Sequence, residues 1–77
     1  MSLRVQVLPG GTLLTLTVPS DMSVRELKAV LAQQLPGFPA SKMFIVHDYR
    51  VLQDRQVVGA VLMEGSMIVL TRADNTH

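Results

Sequence analysis

The sequence has no cysteine in its 77 residues. That removes disulfides, thiolate nucleophiles and cysteine-based zinc sites together. Aromatic residues are scarce, limited to Phe38, Phe44 and Tyr49. Neither sign of charge dominates: seven Lys/Arg stand against six Asp/Glu, a net charge of +1. This balance supplies no electrostatic footprint for nucleic acid and no polybasic patch for a membrane surface. Long apolar runs are also missing. Met1-Ser2-Leu3-Arg4 does not open a signal peptide, and no stretch has the length needed to cross a bilayer. A cytoplasmic or nuclear setting is the expectation. A chain this short buries only about 60% of its unfolded surface, so a deep catalytic cleft and a separate core do not both fit. Without staples, the fold rests on apolar packing. The supply is adequate, since 48% of the residues are hydrophobic.

What is present is periodicity. Leu3, Val5 and Val7 alternate with Arg4 and Gln6, the period of a half-buried strand. Pro9-Gly10-Gly11 makes a turn, and Leu14, Leu16 and Val18 alternate with Thr15 and Thr17. Two such runs around a glycine pair predict a β-hairpin. Pro19-Ser20-Asp21 closes it. Ser23-x-x-Glu26 then forms a capping box. Val24, Leu27, Val30, Leu31 and Leu35 recur at helical spacing, with Arg25, Lys28 and Gln33 opposite. Pro36-Gly37 stops the helix at about Leu35. Met43 to Val46 reads as a third strand with Ile45 inward. His47-Asp48-Tyr49 is a tight turn, and Val51-Leu52 a short fourth strand. Asp54 to Gly65 reads as irregular, pinned to the core by Val57, Val58, Val61 and Leu62. Glu64-Gly65-Ser66 turns the chain into a last strand over Met67–Arg72, with Ile68 and Leu70 inward. Residues 73–77 read as a flexible polar tail. One amphipathic helix must bury its stripe against one sheet face. The expected architecture is an α+β roll, a mixed sheet wrapped around one helix, with residues 1–72 as the single domain.

Candidate chemistry is thin. His47 and Asp48 are adjacent, so strand parity keeps them from forming an oriented dyad. His77 lies far along the chain, and two histidines so placed make no metal site. Pro9-Gly10-Gly11 lacks the following Lys-Ser/Thr of a phosphate loop and leads into a strand. No catalytic residue, cofactor or metal is therefore expected. Strand parity also sends Phe44 and Val46, with Met67, Val69 and Thr71, to the sheet face away from the helix. A cluster of exposed apolar residues on one face marks an interaction site.

Five features in order resemble the ubiquitin-like, β-grasp family from Leu3 to Arg72. They are Pro19-Ser20-Asp21, Val24-x-x-Leu27-Lys28, Gly37-Phe38-Pro39, Leu52-Gln53-Asp54 and Gly65-Ser66. Met22-Ser23-Val24, Glu26-Leu27-Lys28 and Leu52-Gln53-Asp54-Arg55 also resemble the first lobe of interferon-induced tandem ubiquitin-like modifiers. The resemblance implies a non-enzymatic module that binds protein partners through its open sheet face. Such partners are helical ubiquitin-binding modules and proteasome, chaperone or segregase components. It also places an adaptor of this kind in the ubiquitin–proteasome pathway. By the same resemblance, Val46 takes the position of the binding patch's central isoleucine and Val69 that of its histidine. Thr71 takes that of its valine, and Leu8 or Pro9 that of its loop leucine. Phe44 replaces an arginine, and Arg50 and Arg72 are expected to rim the patch. The family's conjugated members end in di-glycine, whereas Arg72 is followed here by Ala73-Asp74-Asn75-Thr76-His77. A conjugated modifier is not expected. Arg50 also stands where the family's main chain-forming lysine lies. The alternative is the N-terminal lobe of a tandem modifier, conjugated through a second lobe. A further use of this roll is pairing through the edge strand at Thr15–Val18. A monomer or weak dimer is expected.

Overall fold

The computed structural model describes residues 1–8, 10–37 and 39–72. Pro9, Phe38 and the tail at 73–77 lie outside the described residues. Eight elements follow one another. They are strands β1 (Ser2–Val7) and β2 (Thr12–Thr17), helix α1 (Val24–Gln34), a 3-10 turn at Ala40–Lys42, strands β3 (Met43–His47) and β4 (Arg50–Val51), a short helix α2 (Val58–Val61), and strand β5 (Met67–Arg72). The strands form one mixed sheet in the order β2-β1-β5-β3-β4. The last strand enters the centre, parallel to β1 and antiparallel to β3. The expected α+β roll is the one observed.

The helix starts where the sequence predicts. Ser23 Oγ accepts from the Glu26 amide at 3.1 Å, and Glu26 Oε1 accepts from the Ser23 amide at 3.0 Å. Two further amides at this end need partners, because a helix leaves its first amides unpaired. Those of Val24 and Arg25 donate to the carbonyls of Gln56 and Asp54, at 2.8 and 3.0 Å. The segment after β4 therefore closes the helix start. Lys28 reinforces this join through an ion pair with Asp54 at 2.6 Å, its own side chain only 12% exposed. Val24, Leu27 and Leu31 carry the helix's buried stripe. They pack with Leu3, Val5, Val7, Ile45, Ile68 and Leu70 of the sheet in one continuous core. Each fully buried side chain of this size contributes about 1.5–3 kcal/mol.

The segment from Asp54 to Gly65 differs from its irregular reading. Val58–Val61 closes one helical turn, with Val58 buried and Leu62 just beyond it also buried. Val57 does not pin this segment to the core: it is 40% exposed and bridges Ser23 instead. The turn docks on the loop before α1 through backbone bonds of 2.8 Å, from Val58 to Met22 and from Gly59 to Ser20. A β-carbon on Gly59 would lie 2.7 Å from the Ser20 carbonyl oxygen. Only glycine permits so close an approach.

Candidate functional site

The side of the sheet away from α1 is open. Cross-strand register arranges its side chains in rows, because directly paired residues share a face. Gln6 pairs with Leu13 on one side and Val69 on the other. Val69 pairs with Val46, and Val46 with Val51. One row thus crosses all five strands as Leu13, Gln6, Val69, Val46 and Val51. Phe44 pairs with Thr71 in the next row. The Leu8 amide donates to the Leu70 carbonyl at 2.8 Å, which carries the β1–β5 ladder one step on and sets Leu8 beside Thr71. On the far side of the long row, Met67 pairs with Arg4, and Arg4 with Thr15.

The result is a cluster of four apolar side chains, Leu8, Phe44, Val46 and Val69, with Thr71 among them, bordered by Met67 and Val51. Leu8, Phe44 and Met67 are 39%, 44% and 43% exposed, while Val46, Val69 and Thr71 are half-buried between them. The core residues Ile45, Ile68 and Leu70, on alternate positions of the same strands, are fully buried. Parity therefore separates the two sets as the sequence predicts. The five residues expected to come together on this face do so.

The two arginines start from the other side of the sheet. Arg50 pairs with His47, and Arg72 with Met43. Both positions alternate with those of the open face, so the pleat directs their β-carbons to the helix side. Arg50 is exposed and lines a shallow depression with His47, Asp48, Gln53, Gln56 and Val61. The register thus starts both side chains, expected at the rim, from the opposite side of the sheet to the cluster. Among the described residues, Arg4 is a cation on that face, exposed beside Met67. Its alternation with Leu3 and Val5 was the available signal. Val51 also belongs to the face, 54% exposed. It is found only when the hairpin register is known.

That hairpin has an unusual turn. His47 is the last residue of β3 rather than part of the turn, and Asp48-Tyr49 is a two-residue loop. Both loop residues have positive φ, 53° and 67°. Such loops favour Asn-Gly or Asp-Gly, because a β-carbon is strained there. Tyr49 nevertheless occupies the second position, fully exposed.

Among the described residues, no group of three or more His, Asp or Glu is placed to hold a metal ion. No helix among them is long and apolar enough to cross a membrane. Among the described residues, no side-chain hydrogen bond or ion pair orients His47 or Asp48.

No protein-family model matches the sequence. No curated protein matches it either. Among solved structures, the chain is similar to the crystal structure of the UBL domain of Plasmodium falciparum Dsk2. The TM-score is 0.86 at 22% identity, over 94% of this chain and 96% of that one. The chain has the ubiquitin-like β-grasp fold.

Proposed function

We infer that the protein is a non-enzymatic interaction module whose open sheet face binds a helix of a protein partner. The observation that carries this reading is the unbroken cluster of Leu8, Phe44, Val46, Val69 and Thr71 on two adjacent rows, opposite the helix-covered core. Exposed apolar side chains gathered on neighbouring strands mark interaction surfaces. Val46 stands at the cluster's centre, between Val69 and Val51. Helical ubiquitin-receptor modules and proteasome or chaperone components are the partner class, by the shared fold alone. The work of this adaptor lies in the ubiquitin–proteasome pathway of the cytoplasm or nucleus. Arg4 supplies the cation at the cluster's margin and pairs with acidic residues flanking the partner's apolar helix face. A face this small gives weak, exchangeable binding.

The test is Val46→Glu, measured by calorimetry against a ubiquitin-interacting helix. A charge at the centre of an apolar contact should abolish binding, while a dispersed amide spectrum shows the fold intact. Unchanged affinity in a folded variant overturns the assignment of the face.

A further inference from the structure

From Val5 to Ser20 the chain carries no charged side chain. Strand β2 lies within that stretch and forms one edge of the sheet. Exposed edges are usually guarded by charge, proline or short length. The opposite edge follows this rule: β4 is two residues long and one of them is Arg50. Strand β2 does not. It has six residues, Thr12–Thr17, all Thr or Leu.

The direction of its free backbone groups follows from the ladder. Met1 and Val18 exchange both backbone bonds, each 2.9 Å. In antiparallel pairs such exchange recurs at every second residue. Leu16 and Leu14 therefore bond to β1. The N–H and C=O groups of Leu13, Thr15 and Thr17 point out from the edge.

We propose that β2 pairs antiparallel with β2 of a second copy of this chain, with Thr15 on the two-fold axis. Thr15 then faces its own copy, and Leu13 faces the partner's Thr17. Each of these pairs exchanges two backbone bonds, so every outward group of the strand is satisfied. A register moved by one residue would set open-face side chains against core-face ones. Moving it by two would leave outward groups beyond the partner strand's end. On the core side, half-buried Leu14 meets the partner's Leu16, apolar on apolar. On the open side, Leu13 loses part of its 63% exposure. Among the described residues, the nearest charged side chain is that of Arg4, one strand in and opposite Thr15. Strand spacing puts the two Arg4 residues about 15 Å apart, beyond a screening length of about 8 Å. Repulsion between the two Arg4 side chains is therefore largely screened. A second copy fits better than an unrelated strand because the edge is complementary to itself in register, polarity and charge.

The axis stands perpendicular to the sheet, so both open faces lie on the same side of one ten-stranded sheet. The strand spacings set the two Val69 positions roughly 28 Å apart. Two helices joined by a linker of that span would bind the pair with avidity.

Sedimentation velocity from micromolar to millimolar concentration tests the proposal. The wild-type sedimentation coefficient should rise toward the dimer value. Thr15→Lys and Thr15→Glu should each stay at the monomer value, because like charges meet on the axis. An equimolar mixture of the two should sediment as dimer. A wild type that stays monomeric overturns the proposal, and so does a Thr15→Lys variant that dimerises equally well. If the variants do not fold, the wild type still decides. Raising its concentration should slow hydrogen exchange at the Leu13, Thr15 and Thr17 amides, and unchanged rates would overturn the pairing. Val46→Glu should dimerise normally, which separates this edge from the open face.

Discussion

Replacing Tyr49 by glycine should stabilise the protein. Tyr49 sits at φ 67° in the loop joining β3 and β4. A left-handed backbone costs an L-residue with a β-carbon about 1–2 kcal/mol. The side chain is 100% exposed, so removing it forfeits no packing. Glycine's greater freedom in the unfolded chain takes back about 0.5–1 kcal/mol. The net gain is about 0.5–1 kcal/mol. Unfolding entropy of about 2.1 cal/mol/K per residue gives roughly 0.16 kcal/mol/K for this length, so Tm should rise by about 3–6 °C. Urea denaturation should show a higher midpoint at unchanged slope. Tyr49→Ala is the control. It removes the ring but keeps the β-carbon, and should change stability by less than about 0.5 kcal/mol. A loss of stability in Tyr49→Gly would refute the reasoning, because it would mean that the ring makes contacts in the folded state. Equal gains in both variants would place the effect in the ring rather than in the backbone.

Four further substitutions probe the fold. Gly59→Ala drives a methyl to 2.7 Å from the Ser20 carbonyl oxygen, where backbone must move. It should cost about 1–3 kcal/mol in a urea melt, and an unchanged midpoint contradicts the docking of α2 on that loop. Ser23→Ala removes the side-chain acceptor for the Glu26 amide. A loss of about 0.5–2 kcal/mol in the same assay is expected, and no loss would mean that the cap contributes nothing. Ile45→Ala empties a fully buried site and should cost about 2–5 kcal/mol. Its neighbour Val46→Ala, on the open face, should cost less than about 1 kcal/mol; comparable losses would contradict the assigned parity.

The sequence was most legible where one periodicity governed a whole element. Alternation set β1, β2, β3 and β5, and the same alternation divided Ile45, Ile68 and Leu70 from Phe44, Val46, Val69 and Thr71. The capping box and Pro36-Gly37 marked both ends of α1. The stretch from Asp54 to Gly65 was not legible in this way. Its one helical turn is too short to display a period, and Val57 is held by a bridge to Ser23 that no local pattern announces. Gly59 gave no sign of its role, because the constraint comes from Ser20, far away in the chain. The family resemblance puts Arg50 and Arg72 at the rim, whereas counting along the strands does not. Their even positions, shared with Leu52 and Leu70, already pointed to the helix side. Arg4 and Val51 needed the register of neighbouring strands, which alternation within one strand does not contain.

The central claim is that the open face, not the hairpin edge or the depression beside Arg50, meets the partner. An amide ¹H–¹⁵N titration with a ubiquitin-interacting helix tests it most directly. Shifts centred on Leu8, Phe44, Val46, Val69 and Thr71, with Arg50 and Arg72 moving less, are the predicted result. Shifts confined to His47, Arg50 and Gln53, or a folded spectrum that does not respond, would contradict it.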